Sequence, residues 1–321
     1  MAVYTDIPDE ELQAFIARFD LGALVSAKGI AEGVENSNYL LRCEGGTFIL
    51  TLYEKRVNEA DLPFFLHLLR HLSERGITCP LPVMARDGSA LHRVAGRPAA
   101  MMTFLEGLWP KRPTARHCAA LGETLARLHL AGRDFGMRRP NALSIGAWPA
   151  LAASSADRAD EVQPDLRDLV ARELDYLRAR WPATLPAGVI HADLFPDNVF
   201  FLGDRLSGLI DFYFACDDLF AYDLAICVNA WCFEPDGSFN VTKSMALVEA
   251  YGRVRPLGGE EWEALNTLAR GAALRFLLTR LVDWLNVPPG ALVKPHDPMD
   301  YVRRLRFHQR VTAPSEYGLA A

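Results

Sequence analysis

No stretch of this sequence stays apolar for the roughly 20 residues that a membrane-spanning helix needs. The first eleven residues are mixed and acidic, without the basic start and apolar core of a secretion signal. An excess of positive charge is also missing. Lys and Arg number 34 against 40 Asp and Glu, and the net charge of −6 argues against nucleic acid as the main partner. The six cysteines (Cys43, Cys79, Cys118, Cys216, Cys227, Cys232) contain no CxxC pair and no regular framework. They read as reduced, mostly buried thiols of a cytoplasmic protein with no membrane partner. Cys227 and Cys232 lack the further ligands a zinc site requires. No internal repeat and no low-complexity tract is found. What remains is an ordinary globular balance of 50% hydrophobic and 23% charged residues over 321 positions, enough for one large or two modest domains.

The pattern along the chain changes character after about a hundred residues. Pro8 to Phe19 reads as a short amphipathic helix with acidic residues in its first turn and Leu12, Phe15, Ile16 and Phe19 on one face. Strand-like segments follow at 24–30, 39–43, 47–53, 91–94 and 99–104, with Glu44-Gly45-Gly46 as a hairpin signal and an amphipathic helix at 62–75 that stops at Gly76. From Thr114, a plausible N-cap, helices are expected at 114–131, 165–181, 220–233, 241–254, 260–286 and 298–309. The segment 133–164 has little periodicity and reads as a long surface excursion. A strand-rich part followed by a helical part predicts an α+β, two-lobed fold, with a nucleotide-binding lobe at 1–104 and a catalytic and substrate-binding helical lobe at 105–321.

The most informative segment is His191-Ala192-Asp193-Leu194-Phe195-Pro196-Asp197-Asn198, followed thirteen residues after Asn198 by the Asp of Ile210-Asp211-Phe212. Phosphoryl transfer to a hydroxyl uses a loop Asp to accept the proton, an Asn five residues on to hold a magnesium ion, and a later Asp-Phe whose carboxylate holds magnesium against the phosphates. Asp193, Asn198 and Asp211 stand in that order and at that spacing. The alternative, a polar loop whose Asp and Asn only stabilise turns, does not account for the strand-like segment ending in Asp211. His191 reads as a backbone anchor of the loop.

Other features are weaker. Gly33 to Asn38, between two strands, is a candidate phosphate cover, but one glycine makes neither a GxGxxG loop nor a P-loop, and the same residues suit a plain hairpin turn. Protein kinases carry a Lys on the third strand; here Thr51 stands there, and whether Lys55 or Arg42 takes its place is open. His67 and His71 are one helical turn apart with no third ligand nearby, so a helix face is expected rather than a metal site. Arg303, Arg304, Arg306 and Arg310 read as a solvated helix face or a set of surface ion pairs.

HADLFPDN and IDF, with Phe104-Leu105-Glu106-Gly107 between the two parts of the chain, resemble the aminoglycoside phosphotransferase and choline kinase superfamily, whose fold is protein-kinase-like. Within it the chain is most similar to the homoserine kinases of that fold. The resemblance runs through GVENSNY (33–39), FILTLYEKR (48–56), LPFFLHLL (62–69), GRPAAMMTFLEG (96–107), LARLHLAGRDF (125–135), NAWCF (229–233), ALRFLLTRLVDW (273–284) and KPHDPMDYVRRLRFHQ (294–309). It implies ATP with Mg2+, L-homoserine as acceptor, and nucleotide contacts from Gly33, Asn36, Ser37, Asn38, Thr103, Phe104 and Leu105. It also implies that Thr51 is no sign of lost activity.

A homoserine site must pair an ammonium and a carboxylate, and Asp217, Asp218, Asn229, Trp231 and Arg275 are its candidates. Arg275 and Arg280 sit among apolar residues and need partners, either substrate or a carboxylate such as Asp223 or Asp283. A kinase of another amino alcohol or aminoglycoside, and a nucleotide-binding regulator without turnover, stay open as alternatives.

Overall fold

The computed structural model describes residues 5–30, 36–54, 57–287 and 295–319. They group into two compact units. The first takes the chain up to Gly107 together with Phe135–Met137 and Ser207–Tyr213, and the second takes the rest.

In the first unit, α1 (Asp9–Ile16) begins after Pro8 and carries Asp9, Glu10 and Glu11 in its first turn, where the helix dipole favours them. It ends three residues earlier than its apolar pattern suggests. Arg18 and Phe19 bond back to Phe15 and Ile16 in tightened turns, and Phe19 still reaches the core. Strands β1 (Leu24–Ile30), β2 (Ser37–Cys43) and β3 (Gly46–Leu52) precede α2 (Leu62–Glu74), and β4 (His92–Val94) and β5 (Arg97–Thr103) follow it. They form an antiparallel sheet in the order β1-β2-β3-β5-β4. Alternation along the strands decides its two faces. Tyr39, Leu41, Leu50, Leu52, Ala99 and Met101 pack on Leu12, Phe15, Ile16 and Phe19 of the α1 segment. Asn38, Thr51 and Ala100, one cross-strand row, therefore point to the opposite face.

The second unit opens with α3 (Ala115–Ala131). Thr114 caps it, accepting from the His117 amide at 3.3 Å while its own amide donates to His117 Nδ1 at 3.2 Å. Then come α4 (Trp148–Ser155), α5 (Ala159–Val162), α6 (Leu166–Arg180), β6 (Ala187–Ile190), β7 (Val199–Leu202) and β8 (Arg205–Leu209), which runs on into the first unit. β9 (Cys216–Leu219) pairs antiparallel with β6, and α7 (Phe220–Trp231), α8 (Val241–Val254), α9 (Gly259–Leu285) and α10 (Met299–Arg310) complete the unit. α3 and α8 approach so closely that a Cβ on Gly122 would lie 2.1 Å from the Leu247 carbonyl oxygen, so only glycine fits.

Two expectations change here. The segment 133–164 is not a bare surface excursion: it holds α4 and α5, and Trp148 is fully buried, its Nε1 on the Leu143 carbonyl at 2.8 Å and its ring edge-on to Trp181. One large anchor residue, not a periodic stripe, carries that packing. On α10, Arg303, Arg306 and Arg310 are exposed, but Arg304 turns inward over the Tyr301 ring.

A buried polar chain joins α7, α9 and α10. Asn229, fully buried, donates to the carbonyls of Ala225 and Ala269 at 3.0 Å each and takes His308 Nε2 on its Oδ1 at 3.1 Å. His308 Nδ1 then accepts from the Tyr317 hydroxyl at 2.8 Å, which requires a neutral imidazole. Burial, with the charges of Arg304 and Arg270, pushes His308 down to about 3 from 6.5. Between those values the unfolded chain binds a proton here that the folded chain refuses. This contribution is fully present above pH 6.5 and is lost as pH falls toward 3, at roughly 1.4 kcal/mol per pH unit. Urea unfolding at pH 7.5, 6 and 5 should show falling stability, with a shallower pH slope for His308→Gln. An unchanged slope in that variant would place the acid sensitivity elsewhere.

Candidate active site

The HADLFPDN loop joins β6 to β7 in the second unit, and its backbone is gripped on both sides. Asp223, in the first turn of α7 and fully buried, accepts from the amides of His191 (2.8 Å) and Ala192 (2.9 Å) and from His129 Nε2 (3.1 Å). Burial works against the Asp223 charge, yet the hydrogen bonds from His129 and the His191 amide hold its pKa below the usual carboxylate value. Burial lowers His129 as well, against the pull of Asp223. An ionised Asp223 beside a neutral His129 fits both directions, with Nδ1 of His129 accepting from the Tyr251 hydroxyl at 2.8 Å.

From the other side, the Arg275 guanidinium donates to the Ala192 carbonyl, and Trp231 Nε1 donates to the Leu194 carbonyl at 2.7 Å. Ala192 takes a left-handed φ of +64°, a strained choice for alanine that this double grip stabilises. The strain turns the chain so that Asp193 is half-buried while its neighbours Ala192 and Leu194 are buried. Asn198 then closes the loop on itself, donating from Nδ2 to the Asp193 carbonyl at 2.8 Å and to its carboxylate at 3.3 Å. With the nitrogen so used, the amide oxygen is the group Asn198 offers a cation. One loop thus carries a carboxylate suited to proton acceptance and an oxygen donor suited to a hard metal ion.

In the first unit, Asp211 follows β8 with φ +62°, a second left-handed non-glycine residue. Beside it stand two tyrosines whose hydroxyls lie 3.2 Å apart, Tyr53 and Tyr213. Burial raises both well above the usual phenol value, and the Asp211 charge adds to the shift in each. Thr51 donates to Asn38 Oδ1 at 2.8 Å, and its side chain is near enough to Tyr213 to offset part of that upward shift. The third-strand threonine is therefore one link in an uncharged chain from Asn38 to the tyrosine pair beside Asp211, where a protein kinase would have a cation.

A model of the phosphotransferase enzyme family matches residues 26–257, which takes in β1 to β3, the gripped loop and Asp211. The chain belongs to this family. A homoserine kinase of Bradyrhizobium diazoefficiens is 66% identical over 320 residues, covering 99% of this chain and 98% of its own. A homoserine kinase of Xanthobacter autotrophicus is 63% identical with both chains covered in full. Among solved structures, an amicoumacin kinase in complex with AMP-PNP and Ca2+ superposes with a TM-score of 0.71 at 15% identity, covering 94% of this chain and 93% of its own. Choline kinase of Cryptosporidium parvum gives 0.65 at 13%, covering 89% and 88%. The α+β, protein-kinase-like fold expected for a phosphotransferase is the one found.

The other candidates of this phosphotransferase are placed as follows. Gly33 and Lys55 lie outside the described residues. Asn36 and Ser37 are buried and serve Glu54: Asn36 Oδ1 accepts from its amide at 3.4 Å, and the Ser37 hydroxyl donates to its carboxylate at 2.8 Å. Arg42 is exposed on β2 opposite Thr47. Thr103 ends β5 with its hydroxyl accepting from the Leu81 amide at 2.9 Å; Phe104 is 43% exposed, and Leu105 packs beside Gly208. His67 is exposed and His71 packs on Phe135, an apolar use of that helix face.

The acceptor candidates are mostly engaged within the protein. Asp217 holds Arg138 (2.7 Å) and the Arg139 amide (2.8 Å). Asp218 holds Asn141 (2.7 Å) and the Leu219 amide (2.8 Å), and burial raises its pKa. Asn229 and Trp231 are buried with their polar atoms spent on backbone carbonyls and His308, so packing and loop positioning account for both. Arg280 pairs with Asp300 at 3.4 Å instead of Asp223 or Asp283, and Arg275 grips the loop carbonyl instead of a carboxylate.

Sequence reasoning missed the roles of Asp223, His129 and Tyr213. The only available signal was charged or polar residues inside otherwise apolar helical runs, such as Asp223 in Phe220–Val228.

Proposed function

We propose that this protein is an ATP-dependent kinase that transfers the γ-phosphoryl group to the side-chain hydroxyl of L-homoserine, giving O-phospho-L-homoserine. The observation that carries the acceptor is the match to homoserine kinases at 63–66% identity over essentially the whole chain. The gripped loop supports the chemistry. Asp193 orients the acceptor hydroxyl and takes its proton as that oxygen attacks the γ-phosphorus; the bond to the β–γ bridging oxygen breaks and ADP leaves. Asn198 would offer an amide oxygen and Asp211 a carboxylate, each a hard donor of the kind that suits Mg2+. When bound, the ion neutralises charge gathering on the transferred group. The first unit is assigned the nucleotide, with the 33–38 segment and Thr103–Leu105 as its contacts, and the second the acceptor.

Among the described residues no helix is long and apolar enough to cross a membrane. We place the enzyme in the cytoplasm, where ATP and amino acids are at hand, in the synthesis of threonine.

A coupled ADP-release assay over L-homoserine, L-serine, choline and aminoglycosides tests the reading. Homoserine should give the highest kcat/KM. Serine keeps both charges but is one methylene shorter, so its hydroxyl misses in-line attack and it should lose mainly kcat. Turnover of an aminoglycoside or choline above that of homoserine would overturn the acceptor assignment.

A further inference from the structure

α10 packs along α9 in the second unit, and together they bury donors that no group among the described residues satisfies. Tyr301 is fully buried and its hydroxyl has no hydrogen-bond partner among the described residues; the same holds for Nε of Arg275, 2% exposed, and for the buried Nη1 of Arg304. Native proteins pair the large majority of buried polar atoms, so three unpaired donors in one neighbourhood call for an explanation.

The neighbourhood is cationic. The guanidinium groups of Arg280 and Arg304 lie 4.6 and 4.5 Å from the centre of the Tyr301 ring. Arg275 lies 4.4 Å above the ring of Phe276, which is itself 5.2 Å from that of Tyr301. Counter-charge is scarce. Asp300 pairs with Arg280 and is shared with the exposed Arg303, and among the described residues no carboxylate pairs with Arg275 or Arg304. Guanidinium groups without a counter-ion are costly to bury, and a bound anion would offset that cost.

The neighbourhood is also beside the base. Arg275 holds the carbonyl of Ala192, the residue before Asp193. Burial pushes the Tyr301 hydroxyl up, Arg304 and Arg280 pull it down, and the Asp193 carboxylate pushes it up again.

We propose that Arg275, Tyr301 and Arg304 form the receptor for the acceptor's carboxylate, and so make the enzyme selective for hydroxy amino acids over amino alcohols. This deepens the kinase reading and rests on it for the identity of the acceptor. Homoserine separates its carboxylate from its hydroxyl by only three carbons, so an anion site adjoining Asp193 has the reach required. The phenol and the guanidinium edges supply the directed donors that a carboxylate accepts.

Isothermal titration of the full-length protein with L-homoserine and with 3-amino-1-propanol, its counterpart without the carboxylate, tests this. Mg2+ and AMP-PNP are present throughout. In Tyr301→Phe and Arg304→Met, homoserine affinity should fall by about 5- to 150-fold, the range for one lost buried hydrogen bond. Affinity for 3-amino-1-propanol and for AMP-PNP should stay as in the wild type.

Equal weakening of both acceptors would show a merely structural role, unchanged homoserine affinity in both variants would show no role, and selective loss of AMP-PNP would assign the donors to nucleotide phosphates; each overturns the proposal. Should Arg304→Met fail to fold, Tyr301→Phe decides, since it keeps the ring and removes only the hydroxyl. Wild-type turnover separates the two readings. If homoserine is bound through these donors but not phosphorylated, the anion site stands and the kinase assignment falls.

Discussion

Exchange of Asp193 for asparagine is expected to lower kcat by roughly 10²–10⁴-fold, the usual worth of a positioned acid–base group, with nucleotide affinity close to wild type. The substitution preserves size, and the loop geometry does not depend on the lost charge. The main-chain bonds from Asp223, Arg275, Trp231 and Asn198 all remain, because each reaches backbone of the 191–194 stretch. What disappears is the carboxylate that we propose accepts the hydroxyl proton. Asp211→Ala makes the contrast, since loss of a metal donor should weaken Mg2+-dependent ATP binding together with turnover. Steady-state kinetics and nucleotide titration on the two variants separate these roles. A rate for Asp193→Asn within a few-fold of wild type would remove it from the chemistry.

Asp223→Ala is expected to be the most damaging substitution away from the reacting atoms, at about 3–5 kcal/mol of stability together with most of the activity. Its carboxylate satisfies three buried donors at once: two loop amides and His129. Alanine leaves all three without an acceptor in a place water does not reach, and it frees Ala192 to relax from its left-handed conformation. Asp223→Asn should be intermediate, because an amide keeps one acceptor oxygen but presents its NH2 to a donor. Urea unfolding gives the stability loss, and kcat of the folded fraction at low temperature gives the positional effect. If Asp223→Ala stays within about 1 kcal/mol of wild type, the loop is held by other means.

The uncharged chain Asn38–Thr51–Tyr213–Tyr53 gives Thr51 a defined place. A third-strand cation is one way to organise the region beside Asp211; a buried tyrosine pair next to a strand threonine is another. Thr51 alone gave no hint of this. Its partner lies far along the chain, and a threonine on a strand is unremarkable in any sequence.

Sequence by itself determined the elements whose signals are local. β2, expected at 39–43, alternates in burial over Ser37–Cys43, and α8 falls at Val241–Val254 as its pattern predicts, because alternation and helical periodicity are short-range consequences of which face is buried. It also marked the loop we propose as reactive, since a base and a metal donor that work together must sit within a few residues, and the spacing of Asp193 and Asn198 meets that constraint. Tertiary structure alone decided what holds the loop and what lies beside it. Asp223 and Arg275 reach the loop from α7 and α9. Trp148 converts an unpatterned stretch into a packed one through a single ring. Such residues are selected by burial and by the geometry of partners dozens of residues away, and neither leaves a periodic trace in the chain.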